Sequence, residues 1–350
     1  MGFAREENGF SLQARLVSHS ARHSIPPRKH IGRSASPVLA LALIHGFGIR
    51  MLSIIPTEVH TAVPAHLRLN QETDWSRARG GGALHSFLEG PGFDRQGRLY
   101  CVDVCHGRIF RIGRDGDWEV FASYGGRPNG LRIHRDGRVF VADALQGLLV
   151  FDPDTGQRIG ELAQWAPGQR FAGLNDLAFA DDGTVFFTDP GHSALEDPHG
   201  RVFAWQEGGA AAPVLQGLPF PNGVVVMPDQ AALCVASTRS LEVLRATRRG
   251  AQVRNLGVYA RFSGGLAGPD GLAVCEDGGL VVAHSGLGVV WWLDPLGEVR
   301  GRIESCAGIR NTNLAFDPDD LHTLYITESE TGSILRARLP VKGRTPYSHR

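Results

Sequence analysis

From about residue 88 onward the apolar residues come in short bursts rich in Val, Ile, Phe and Leu, separated by Gly, Asp and Pro. Bursts of β-branched and aromatic residues with a two-residue period are strand signals. Six stretches share one plan, an apolar strand, an Asp/Gly turn and a second apolar strand. They read GPGFDRQGRLYCVD, GLRIHRDGRVFVAD, DLAFADDGTVFFTD, GVVVMPDQAALCVAS, GLAVCEDGGLVVAH and NLAFDPDDLHTLYITE. Their equivalent apolar positions, Phe93, Ile133, Phe179, Val226, Val274 and Phe316, are spaced by 40, 46, 47, 48 and 42 residues. In five copies a third apolar burst follows: GRIFRI, GLLVF, GRVFAW, GVVWWL and GSILRARL. A repeat of this length holding about four strands is the signature of propeller blades. The pattern predicts an all-β, six-bladed β-propeller with four-stranded antiparallel blades, closed by an N-terminal strand within residues 57–88 that joins the last blade. A β-sandwich also has many short strands, but nothing in it demands six copies in one register.

Four residues before each aligned apolar position stand Glu89, Asn129, Asn175, Asn222, Asp270 and Thr312. Each carries a side-chain oxygen. The first strand of a blade lines the central channel, so six such residues at its start aim their oxygens at one mouth of that channel. Asn or Asp before Gly is also a common turn pattern. That alternative covers PNG and PDG but neither Glu89 nor the shared offset. Uncompensated carboxylates at one point repel and resist ionisation. A hard divalent cation relieves them, and a carbonyl-rich, irregular shell suits Ca²⁺ best, with Mg²⁺, Mn²⁺ and Zn²⁺ as the other candidates. The second strand returns to the same mouth and ends in Asp103, Asp143, Asp189, Ser237, His284 and Glu328. Of these, His284 departs from the acidic pattern and is a candidate acid/base residue or second-cation ligand, or a substrate contact. His192 and His199 lie on the longest insert, in blade 3.

Composition narrows the field. Lys+Arg and Asp+Glu balance at 36 each, which gives no support for a nucleic-acid or membrane partner. Five cysteines without a CxxC pair argue against a disulfide framework and for a reducing, cytoplasmic setting. Residues 1–36 are polar and rich in Arg and Ser, and the apolar run at 37–49 is too short to span a bilayer as a helix. Residues 1–50 are expected to be a disordered or non-native extension, and residues 51–345 a single propeller domain. No GxSxG nucleophile elbow occurs.

At LEGPGFD, RFAGLNDLAFADDGTVFFTD, PFPNGVVV, AGPDGLAVCEDGGLVVAH and the TNLAF…LYITESETGSI ending, the sequence resembles the senescence marker protein / gluconolactonase / luciferin-regenerating enzyme family over about residues 85–340. The resemblance implies a six-bladed propeller and divalent-metal hydrolysis of a small-molecule lactone. It implies metal ligation by Glu89, Asn222 and Asp270, with Asn175 touching metal or substrate. Asn129, His284 and Thr312 are then left to the substrate. Sugar-lactonase members often carry Arg two residues before the Asn of the ND motif; here Ala-Gly-Leu precedes Asn175 and the nearest arginine is Arg170. Related propellers cleave organophosphates, and others serve as interaction platforms. Asp270 is the expected general base, or alternatively the direct nucleophile.

Overall fold

The repeats become six antiparallel sheets, seen in a computed structural model that describes residues 52–350. The expectation for residues 1–50 falls outside the described residues. The innermost strands are Leu88–Phe93, Pro128–Ile133, Leu177–Phe179, Pro221–Val226, Gly268–Val274 and Asn311–Phe316. Each packs against the innermost strands of both neighbouring blades, and the sixth meets the first, so the ring is closed. Almost no helix interrupts it; one short helix, Asp74–Arg77, precedes blade 1.

Both faces of the inner strands of the blades are buried, which explains why the alternation in the sequence is not apolar against polar there. In blade 3, Phe186 packs toward blade 4 while its neighbours Val185 and Phe187 pack toward blade 2. The core is therefore six separate apolar clusters, one at each blade–blade interface. A buried Phe such as Phe186 contributes about 2–3 kcal/mol through apolar transfer.

Closure uses one segment twice. Strand β1 (Ser53–Pro56) adds in parallel to the outer strand Val299–Glu304 of blade 5. Strand β2 (Glu58–Ala62) then pairs antiparallel with Ser333–Arg338 and completes blade 6 as its fourth strand. Between them the Thr57 hydroxyl donates to Glu304 O at 2.8 Å. The parallel addition to blade 5 has no signal in the repeat pattern.

The C-terminal tail closes the far end of the channel. Arg344 donates to Val226 O, Tyr347 stacks on Phe179 with ring centroids 4.6 Å apart, and Ser348 donates to Phe93 O. All three acceptors or partners sit at the ends of innermost strands. A ligand therefore reaches the channel from the opposite mouth, where those strands begin.

Candidate functional site

Five of the six oxygen-bearing positions lie at a β-bulge near the start of the innermost strand. The pairing register slips between Glu89 and Gly92, Pro128 and Leu131, Pro221 and Val224, and Pro269 and Leu272. Blade 6 slips likewise between Asn311 and Leu314. In blade 3 regular pairing starts only at Leu177, and the Asn175 N–H instead reaches Thr188 O. A bulge re-aims a side chain, and here it turns the ring residues toward the axis. The following glycine has a packing cause beyond turn preference. A Cβ on Gly271 would lie 2.3 Å from Asn313 Cγ, and one on Gly130 would lie 2.5 Å from Asp176 Oδ1. Neighbouring innermost strands touch backbone to side chain at this point. Gly271→Ala is expected to displace Asn313 and its neighbour Asp270 and to weaken cation binding at least tenfold, read by calorimetric titration; unchanged affinity would show that the close approach is dispensable.

Glu89, Asn175, Asn222 and Asp270 are all buried, between 3% and 8% exposed. The Oδ1 atoms of Asn129, Asn175 and Asn222 are buried without a hydrogen-bond partner. Such orphaned acceptors cost free energy unless something binds them. The carboxylates are strained electrostatically as well. Burial, then the charge of Asp176, pushes Glu89 up to about 8. Burial, then Glu89 and Asp176, holds Asp270 well above the usual carboxylate range against hydrogen bonds from Asn222 and Ser285. Unpaired carbonyl oxygens beside crowded carboxylates are the donor set of a hard divalent cation, and the residues present fit one.

Two participants lie one position further along. Where the other blades have Gly, blade 3 has Asp176 and blade 6 has Asn313. The Asn313 amide donates to Glu89 Oε2 at 3.0 Å and reaches Asp176 Oδ2 at 3.4 Å. Arg132 approaches the same Asp176 oxygen at 3.4 Å. Asp176 is fully buried and its carboxyl is raised by that burial, offset first by Arg132. The exception to the Gly rule was the signal for these residues.

Two expected substrate contacts are placed elsewhere. Thr312 is 1% exposed and its hydroxyl is engaged by Leu88 O and Thr327 Oγ1, both at 2.8 Å. It latches blade 6 to blade 1, as Thr188 does between blades 3 and 4 and Thr238 between blades 4 and 5. His284 is fully buried with both ring nitrogens occupied. Nδ1 accepts from Trp291 Nε1 at 3.1 Å, and Nε2 lies 3.1 Å from Gly264 O. Burial holds its pKa below the ordinary value, and it keeps the neutral form.

The acidic ends of the second strands hold the ring from behind. Asp103 accepts from Phe87 N, Asp143 from Arg127 N and Asp189 from Gly173 N. Each grips the backbone two residues before a ring residue. Asp103, Cys105 and His106 cluster closely enough to suggest a metal, but Arg108 already sits 2.6 Å from Asp103.

Above the ring opens a cleft of about 670 Å³ that includes Asn129 and Asn175 in its wall. The blade 3 insert contributes Pro190 through Glu196, so His192 lines it, while His199 lies outside. The wall also includes Trp75 on the short helix Asp74–Arg77, Arg79 just after it, and Arg127, Phe220 and Arg239 at strand entries and turns, none of which the repeat spacing marks. Among the described residues no helix is long and apolar enough to cross a membrane.

Comparison with known proteins agrees with this architecture. Diisopropyl-fluorophosphatase of Loligo vulgaris is 29% identical over 74% of this chain and 91% of its own. Lactonase drp35 of Staphylococcus aureus is 29% identical over 66% of this chain and 75% of its own. Among solved structures, the calcium-binding protein regucalcin of Agrobacterium tumefaciens superposes with a TM-score of 0.68 at 20% identity, covering 86% of this chain and all of the other. A gluconolactonase of Xanthomonas campestris gives 0.65 at 23% identity, covering 83% and 99%. The structural likenesses establish the propeller. A family model described as the SMP-30/Gluconolactonase/LRE-like region matches residues 87–330, and with most of the chain inside that match, the protein belongs to this family.

Proposed function

We propose that this protein is a divalent-metal-dependent hydrolase that opens a lactone. The observation that carries the reading is the set of orphaned Asn oxygens beside crowded, buried carboxylates at the open mouth. Glu89, Asn175, Asn222 and Asp270 would hold the cation, Ca²⁺ by donor type. Held there, a cation would supply Lewis-acid polarisation of the ester carbonyl and positive charge beside the oxyanion that develops from it. Asp270 would take the proton from the attacking water, because a ligand carboxylate lies within reach of a water beside the cation. The Asn222 amide and Ser285 orient that carboxylate. Asn313 fixes Glu89, and Asn129 faces the substrate from the cleft wall. Four cysteines are buried and unpaired, which fits a cytoplasmic setting.

The test is hydrolysis of a panel of γ- and δ-lactones by chelator-stripped protein refilled with Ca²⁺, Mg²⁺, Mn²⁺ or Zn²⁺. Activity is expected to vanish on stripping and to return at least a hundredfold with one ion. Lactone opening that persists without any cation would remove the metal from the reading. A second reading, hydrolysis of phosphotriesters at the same site, is favoured by the similarity to diisopropyl-fluorophosphatase. Cation-dependent turnover of phosphotriesters without turnover of lactones would select it.

A further inference from the structure

We propose that the substrate carries, beside its cyclic ester, a free oxyanion, a carboxylate or a phosphate, which Arg79, Arg127 and Arg239 grip at the mouth of the cleft. The inference rests on the lactonase reading and names the substrate class within it.

The three arginines come from separate elements. Arg79 follows the short helix Asp74–Arg77, Arg127 enters the innermost strand of blade 2, and Arg239 lies in the turn after the second strand of blade 4. All line the cleft that holds Asn129 and Asn175, whose wall contains a single carboxylate, Glu196. Two of them are braced on aromatic rings. The Arg79 guanidinium stacks 4.1 Å from the Trp75 ring centroid, and that of Arg239 lies 5.5 Å from Phe220. Bracing of this kind holds a planar fork ready while leaving its N–H edge free.

None of the three has an ion-pair partner among the described residues. That is not the habit of this site's surroundings. Arg108 and Arg201, on the third strands of blades 1 and 3, each sit 2.6 Å from a fully buried aspartate. The ring does not need them either. Glu89, Asp176 and Asp270 bring three negative charges, while Arg132 and a divalent cation supply three positive ones. The inner site is then neutral and the mouth arginines are surplus. They feel one another across the cleft, for after burial it is Arg127 and then Arg239 that hold the Arg79 guanidinium below its ordinary pKa. Like charges gathered in a concave wall raise the local concentration of anions and match carboxylate or phosphate oxygens with paired N–H donors. Among the described residues Arg79 donates only to the Trp75 carbonyl, at 3.4 Å, and a neutral sugar lactone would leave all three without an anionic partner.

The experiment compares three substrates on the cation-loaded protein: a γ-lactone with a carboxymethyl side chain, its methyl ester, and the analogue with a phosphate side chain. The acid or the phosphate is expected to show a kcat/KM at least 50-fold above the methyl ester, mainly through KM, and to lose that lead as salt rises. Whichever anion leads identifies the source. In Arg127→Gln and Arg239→Gln the anion-to-ester ratio is expected to fall at least tenfold, whereas Arg245→Gln, on the exposed side of blade 4, keeps it. Equal rates for all three substrates, or a ratio that survives both Gln variants, would overturn the proposal. If no lactone is opened, the lactonase reading fails by itself. Equilibrium binding of the acid against its methyl ester then decides this one, and equal affinities would overturn it.

Discussion

Asp270→Asn is expected to lower kcat for lactone opening by about a thousandfold, the middle of the range that positioned proton transfer contributes. The substitution keeps the shape of the side chain and one of its acceptor oxygens, so the Asn222 contact and the bulge at Pro269 survive. It removes the group that accepts the proton. Cation affinity falls as well, so kcat has to be measured at saturating cation, with saturation read from the thermal midpoint. The same change carries a second expectation of opposite sign. Asp270 is buried and is pushed up by Glu89 and Asp176 after burial itself. Removing its charge relieves both neighbours, and the metal-free variant should melt above the metal-free wild type at pH 8. Activity within tenfold of wild type at saturating cation would show that Asp270 is neither base nor nucleophile. Single turnover in ¹⁸O-water separates those roles, since label enters the Asp270 carboxylate only if it attacks directly.

How much of this was legible in the sequence follows from what each level of structure repeats. The blades recur, and a recurring unit shows itself as a spacing, so Phe93 through Phe316 define the fold without reference to contacts. The ring positions recur too, because the bulge that aims Glu89, Asn129, Asn222 and Asp270 is part of the unit. Thr312 shares the offset yet hydrogen-bonds to Leu88 O, for a short β-branched hydroxyl bonds the adjacent backbone where a carboxamide reaches inward. His284 stands out by type, but Trp291 occupies one of its nitrogens, and no spacing reveals a partner on the next strand. Asp176 and Asn313 were readable only as exceptions to Gly, which requires knowing that a Cβ there meets the next blade. The cleft wall was hidden for a different reason. Trp75 sits on the short helix before blade 1, and Arg79, Arg127 and Arg239 on loops or at strand entries, and such positions are free to differ from blade to blade.

The buried carboxylates also set how the metal-free protein responds to pH. Its stability is expected to fall as pH rises from about 6.5 to about 8, a window bounded by the ordinary histidine pKa and by the raised value of Glu89. In the unfolded chain a glutamate releases its proton near pH 4.3. Folded, Glu89 keeps its proton up to about pH 8, and Asp270 and Asp176 are shifted in the same direction by burial. The folded state therefore holds more protons than the unfolded state, and this stability, complete at low pH, is lost as pH climbs through the folded values. Each proton so held costs about 1.4 kcal/mol of stability per pH unit. Below about pH 6.5 the histidines oppose the trend, because burial lowers His60, His85, His284 and His349 and favours folding as pH rises toward their unfolded value. Well above it they are neutral in both states and the ring carboxyls set the slope, joined toward pH 8 by the buried thiols of Cys101, Cys105, Cys234 and Cys275, which burial raises and whose effect has the same sign. Cation binding ionises the same carboxyls, so the affinity rises with pH, protons are released on binding, and the loaded protein shows a flatter profile. Thermal midpoints across this window, with chelator and with saturating Ca²⁺, read all of it. A metal-free profile already flat in wild type would mean that the ring does not hold its carboxyls protonated; a slope that persists unchanged in Glu89→Gln would place the proton elsewhere. The expected pair, a falling profile in wild type and a flatter one in Glu89→Gln, ties the instability of the empty ring to the charges that make it a cation site.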